Sequence, residues 1–146
     1  MTSEKDIGKK VNILIVENEM IFAEDLKQTL KHANRNYEVI EDIIISGEKA
    51  IEYINNSNNT KPDLIIMDLI LTESMNGMEV AKTILANNKN IKIIYCSGHF
   101  DSATIEQAAC SGGSGYITKP IEDNPLYNLI EYALENNDPN CFRIVR

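Results

Sequence analysis

The chain has 146 residues and a formal net charge of −8, set by 14 Lys and Arg against 22 Asp and Glu. That length suits a single domain with its own core, and the acid excess argues against nucleic acid as a direct partner, because phosphate binding needs a basic face. The apolar runs are too short for a membrane span, residues 1–10 lack the apolar stretch of a signal peptide, and three widely spaced cysteines (Cys96, Cys110, Cys141) fit neither a disulfide framework nor a zinc site, which points to a reducing cytoplasm.

Residues 1–10 are polar and charged and read as a loose lead-in. Val11–Val16 (VNILIV) is a nearly continuous apolar run, the mark of a strand buried on both faces. Phe22, Leu26, Leu30 and Ala33 then recur at helical spacing, with His32 on the wet face. Val39–Ile45 reads as a second strand, less apolar because of Glu41 and Asp42. Ser46 is placed to cap a helix carrying Ala50, Ile51 and Ile54. Leu64–Met67 is a third strand. Asn76–Gly77 signals a turn before a helix with the stripe Val80, Ala81, Ile84 and Leu85. Ile91–Cys96 is a fourth strand, and Asp101 or Ser102 opens a helix with Ile105, Ala108 and Ala109 inward. Ser111–Gly115 (SGGSG) lacks the GK[ST] ending of a phosphate loop and precedes a strand, so it reads as a turn. Gly115–Ile117 is a short fifth strand. Asn124 as cap and Pro125 in the first turn begin the last helix, whose stripe is Leu126, Leu129, Ile130, Ala133 and Leu134. Residues 136–146 read as a tail. Five strands alternating with five helices over 11–135 give an α/β domain: a doubly wound (βα)5 fold around a parallel sheet covered on both faces.

In such a sheet the ligand site lies beyond the carboxyl ends of the strands. The residues there are Glu17, Asn18 and Glu19 after the first strand, Asp68 after the third, Ser97, Gly98 and His99 after the fourth, and Thr118, Lys119 and Pro120 after the fifth. Singly each has an ordinary reading: Asp68 a solvated strand-end carboxylate, Ser97 a cap, Tyr116 an edge-strand aromatic, His99 polar surface. Together they bring carboxylates, a hydroxyl and a lysine to one crevice. Oxygen ligands of this kind suit Mg²⁺, and the Lys and Ser can steady a phosphoryl group.

The segments Ile13–Glu19 (ILIVENE), Pro62–Leu71 (PDLIIMDLIL), Ile93–Gly98 (IIYCSG) and Gly115–Pro120 (GYITKP) resemble the receiver domains of two-component response regulators. The likeness runs from Val11 to Glu135, with four motifs in the right order. It implies a flavodoxin-like strand order of 2-1-3-4-5. It also implies that Asp68 accepts a phosphoryl group from a histidine kinase or phosphotransfer protein. Glu17 and Asn18 match the acidic pair that holds Mg²⁺, with Asp68 and the backbone carbonyl of Ile70 as further ligands. Ser97 and Lys119 match the residues that bind the phosphoryl oxygens, and Tyr116 the aromatic switch. Receivers commonly have a cis bond where Lys119–Pro120 stands. The loop Thr72–Gly77 resembles that of receivers in sensor-kinase cascades. Ile70 and His99 would flank the phosphoryl group, and a bulky Ile70 should make the acyl phosphate long-lived by hindering water. Output runs through a downstream protein partner. Any homodimer is expected on the face made by Asp101–Cys110, strand five and Asn124–Glu135, where receivers commonly associate.

Asn18 departs from the family. An amide oxygen brings no charge, so two carboxylates, Glu17 and Asp68, are expected at the metal, and Mg²⁺ is expected to bind weakly. The chain therefore reads as a phosphorylatable signalling switch and not as an enzyme with an external substrate; the alternative is a pseudo-receiver that acts by protein contact alone. A flavodoxin would carry a Ser/Thr/Gly-rich loop after strand one, and a haloacid-dehalogenase phosphatase a D-x-D nucleophile there. Glu17–Asn18–Glu19 is neither.

Overall fold

Val11–Val16 (β1), Leu64–Asp68 (β3) and Lys92–Ser97 (β4) lie side by side at the middle of one parallel sheet. Their inner residues are fully enclosed, as an apolar run without alternation requires. The computed structural model describes residues 9–71, 75–98, 101–138 and 141–146. Tyr37–Val39 (β2) flanks β1, and Gly115–Thr118 (β5) flanks β4. The expected order 2-1-3-4-5 is present and extended by one strand, Arg143–Val145 (β6), on the outer edge of β5.

Successive strand residues point to opposite faces, so the core divides into two layers. Ile13, Ile15, Leu64, Ile66 and Ile94 pack against Met20–Lys31 (α1) and Asp123–Glu135 (α5). Leu14, Val16, Ile65, Met67 and Tyr95 pack against Gly47–Asn55 (α2), Gly77–Asn87 (α3) and Ser102–Cys110 (α4). Ser46, Asn76 and Asp101 each cap a helix through a side-chain oxygen that accepts a first-turn N–H, from Lys49, Glu79 and Thr104 respectively. Among the described residues no helix is long and apolar enough to cross a membrane.

Three expectations need correction. The second strand is not Val39–Ile45; its ladder runs Val11↔Tyr37 to Ile13↔Val39 and then breaks, with only Val16↔Ile44 paired beyond. Glu41 and Asp42 turn outward there, and Glu41 takes an ion pair at 3.0 Å from Lys27, whose side chain is buried. The last helix starts at Asp123 and not after Asn124, with Glu122 at the cap position and no side-chain cap bond. Pro125 still lies in the first turn, where its missing N–H leaves no bond unmade. The tail is not outside the domain: Arg143–Val145 forms a sixth strand in a sheet expected to have five. Two apolar residues, Ile144 and Val145, between two arginines show too little alternation to read as a strand, but the run pairs the otherwise open edge of β5. Cys96 is buried and Cys110 exposed.

Candidate functional site

Glu17 directly follows β1, and its side chain is 1% exposed. Its amide donates to the Ile44 carbonyl (2.8 Å), and its Oε2 accepts from the Glu19 amide (3.2 Å). That turn brings the Glu19 carboxylate round to the crevice while Asn18 stays half-buried between the two acids. β3 ends on buried Asp68, whose Oδ1 accepts the Ile70 amide at 3.0 Å. The Ile70 side chain stands in solvent. Gly77, at the start of α3, donates to the Leu69 carbonyl (2.9 Å), and a Cβ there would overlap the Asp68 carbonyl. The helix can approach the end of β3 this closely only with glycine at that place.

Lys119 reaches in from the end of β5 across a cis bond to Pro120, as expected. Its backbone amide donates to the Ser97 carbonyl at 3.0 Å, which ties the ends of β4 and β5 together. Its Nζ donates to Glu17 Oε1 (2.7 Å), Asp68 Oδ2 (3.2 Å) and Glu19 Oε1 (3.2 Å). The same ammonium lies 4.2 Å from the centroid of the Phe22 ring. Ser97 is buried at the end of β4.

One ammonium thus faces three carboxylates. Burial, reinforced by the neighbouring Asp68, pushes the Glu17 carboxyl above its ordinary value, and the Lys119 bond opposes it. For Lys119, burial would lower the pKa, but the bond to Glu17 and the charge of Asp68 outweigh it and hold the ammonium form. The Cys96 thiol is raised well above normal by burial and by Asp68 and Glu17, so it stays protonated and is not a nucleophile. Carboxylate oxygens of Glu17, Glu19 and Asp68 all lie within 4.8 Å of one another. These are hard donors, the cluster carries an excess of negative charge, and a cation already sits in it as a stand-in. The residues fit a small divalent cation such as Mg²⁺.

The structure therefore joins Glu17, Asp68, Ser97 and Lys119, each read from sequence as a site residue. Glu17 and Asp68 are the two carboxylates expected at the metal, and the Glu19 carboxylate, also at the end of the first strand, joins them in the cluster. Side-chain periodicity gives no signal for this, because Glu19 is half out in water and its turn is set by the Glu17 hydrogen bond. Tyr116, taken alone, reads as an edge aromatic, yet β5 is not the edge and the Tyr116 side chain is fully buried. Burial raises its pKa, with Ser97 acting against that shift. His99 and Thr72–Ser74 lie outside the described residues.

The sequence pattern of the response regulator receiver domain matches residues 13–131. A chemotaxis protein CheY of Thermotoga maritima is 33% identical over 124 residues, covering 85% of this chain and 96% of that protein. A transcriptional regulatory protein DegU of Brevibacillus brevis is 27% identical over 126 residues. The alignment takes in 86% of this chain but only 51% of DegU, so the chain spans about half of that relative. Among solved structures, a response regulator from Chloroflexus aurantiacus superimposes with a TM-score of 0.76 at 26% identity, covering 88% of this chain and all of the other. The receiver domain of a diguanylate cyclase from Desulfovibrio desulfuricans gives the same score and identity, with 88% and 97% covered.

Proposed function

This chain belongs to the response regulator receiver domain family, a module of two-component signalling, and on that premise we propose that Asp68 is its phosphoacceptor. The observation that carries the proposal is the buried bridge from Lys119 to both Asp68 and Glu17. An Asp68 oxygen attacks the phosphorus of a phosphohistidine on a histidine kinase or phosphotransfer protein. The new O–P bond forms as the P–N bond breaks, and the imidazole leaves with the electron pair. The Ile70 amide and Lys119 hold the carboxylate's two oxygens in fixed places beforehand, so little reorganisation is needed at transfer. Afterwards Lys119 stays beside the added charge, and the Ser97 hydroxyl is the group placed to meet a phosphoryl oxygen.

Glu17, Glu19 and Asp68 would hold Mg²⁺, with Asn18 and the Ile70 carbonyl as the neutral oxygen donors. When bound, the ion neutralises charge on the incoming phosphoryl group. Glu19 restores the charge that Asn18 lacks, which supports a working receiver against a decayed one. Exposed Met20 and Ile21, in the first turn of α1, offer a donor protein apolar surface beside the carboxylates. Output goes to a downstream protein partner. Any contact on the face of α4, β5 and α5, self-association included, also meets β6.

Incubation with Mg²⁺ and a small acyl phosphodonor, read by intact mass, tests this. One phosphoryl group should be gained by the wild type and none by Asp68→Asn. A folded wild type that gains none would select the alternative that Asn18 favours, an interaction module without phosphorylation.

A further inference from the structure

The tail strand docks at the place where β5 carries its switch-position aromatic. Ile144 lies opposite Tyr116 in the β5–β6 register, between Gly115↔Arg143 and Ile117↔Val145. Phe142 packs against the same cluster of buried side chains that encloses the Tyr116 ring. The docking is specific. The Arg143 amide donates to the Ser114 carbonyl at 3.2 Å, and its guanidinium stacks 4.1 Å from the centroid of the Tyr132 ring on α5. The Thr118 hydroxyl donates to the Val145 carbonyl at 3.2 Å. At Gly115 a Cβ would come within 3.0 Å of the Arg143 carbonyl, so this strand glycine marks where the tail's backbone closes in.

Tyr116, meanwhile, is held against a local cost. Its hydroxyl is buried, with only Ser97 near it and no hydrogen bond of ordinary geometry. A buried donor so poorly met favours any arrangement that returns it to water. β6 covers the edge of β5 beside the ring, and Phe142 packs against the cluster that holds it.

We propose that β6 is a strap that holds Tyr116 inward, so that docking of residues 141–146 on β5 and burial of the Tyr116 ring are one coupled event. Because β5 runs directly into Lys119, the strap bears on the carboxylate crevice through the strand that positions its cation. The coupling is reciprocal, as linkage demands: whatever loosens β6 releases Tyr116, and whatever steadies buried Tyr116 tightens β6. It does not depend on whether Asp68 takes a phosphoryl group.

Two variants of the full chain test it. Arg143→Pro deletes the donor to Ser114 and the stacking on Tyr132. Nitration by tetranitromethane with peptide mapping reports each tyrosine, and amide hydrogen exchange reports β6. In the wild type Tyr116 and Tyr95 should both resist nitration; Tyr95 is fully buried, bonded to Ser111, and its pKa is pushed up to about 12. In Arg143→Pro the β6 amides should lose protection and Tyr116 should react roughly tenfold faster, while Tyr95 stays protected. A loosened β6 with Tyr116 still resistant would overturn the proposal. Should Tyr95 react as well, the core has opened, and the second variant decides alone. Tyr116→Phe keeps the ring and removes the poorly met hydroxyl, so the amides of 143–145 should exchange a few-fold more slowly. Unchanged or faster exchange would refute the coupling.

Discussion

At the carboxyl end of the sheet, the Lys119 side chain is 17% exposed and answers three carboxylates, two of them buried. At the amino end, Arg35 and Glu131 meet at 3.5 Å with both side chains over a third exposed. The Asp63 carboxylate accepts the Asn12 amide, and the Lys92 ammonium donates to the carbonyl of Asn136 and the side chain of Asn137. The amino end also has a hollow of about 820 Å³ with Lys9, Arg35, Lys92 and Glu131 in its walls. Neither charge nor volume separates the two regions. Burial does, together with mismatch: at one end each charge finds a partner or water, and at the other one cation is shared among three anions, two of them out of water. The second arrangement is costly for a structure that has no other use for it, and it leaves unmet negative charge for a ligand cation.

The sharpest way to break this comparison is at Asp68. Asp68→Asn keeps the shape and the acceptor for the Ile70 amide but loses the nucleophile, and phosphoryl uptake should vanish. Next is Lys119→Ala. Removing one partner of a buried ion pair costs about 3–5 kcal/mol, since it leaves the other charge uncompensated. We expect a loss at the lower end of that range in metal-free buffer, as Lys119 keeps some contact with solvent. Millimolar Mg²⁺ should restore part of it by supplying the missing positive charge. Chemical denaturation with and without Mg²⁺ measures both effects. A loss that Mg²⁺ leaves untouched would mean that the ion and the ammonium do not share a site.

The third prediction separates Glu19 from Asn18. Glu19→Gln should weaken Mg²⁺ by about tenfold, the effect of one mostly solvated charge at ~1.4 kcal/mol. Asn18→Asp should tighten it, because a fourth carboxylate adds charge next to the ion. Calorimetric titration gives both numbers. If Glu19→Gln changes nothing while Asn18→Asp tightens strongly, Glu19 is only a surface acid beside Lys119, and the crevice is as charge-poor as the sequence suggests.

A fourth prediction follows from Glu17. Its folded pKa lies above the unfolded value of 4.5. The folded state therefore holds this proton more tightly, and the stability that Glu17 contributes is present below pH 4.5 and lost as pH rises through the raised value. Mg²⁺ needs the ionised form, so its affinity should increase with pH across that same window, with release of a proton on binding. Glu17→Gln should abolish the pH slope. A slope that survives in that variant would assign the proton to another carboxylate.

Most of the fold was legible because β1, β3 and β4 are unbroken apolar runs and three of the helices carry side-chain caps. What escaped has a physical reason in each case. β2 ends early because Glu41 turns outward to meet Lys27. β6 is three residues long and stable only because β5 offers an edge. Glu17, Asp68, Ser97 and Lys119 could be placed from strand ends alone, since an open parallel sheet brings those ends together. Glu19 stands at a strand end too, but the direction of its carboxylate depends on a turn closed by Glu17, and the role of Gly77 depends on the approach of α3 to the Asp68 carbonyl.

The smallest expected effect is the one that holds the comparison in place. Arg35→Ala removes a cation from the amino-end hollow, and with it a 3.5 Å contact to Glu131 and a stacking contact 4.9 Å from the centroid of the Tyr127 ring. The ion pair is solvated on both sides, and such pairs contribute about 0–1 kcal/mol. The stacking adds about 0.5–1 kcal/mol at an exposed site. Tyr37 already donates to Glu131 Oε1 at 2.8 Å, so that carboxylate keeps a partner when the arginine is gone. The loss should thus be about 1 kcal/mol, with Mg²⁺ affinity and phosphoryl uptake unchanged. Denaturation and titration of this variant beside Lys119→Ala put the two ends of the sheet on one scale. If Arg35→Ala costs as much as Lys119→Ala, or alters Mg²⁺ binding, burial is not what distinguishes the crevice from the hollow, and the amino end holds a second linked site.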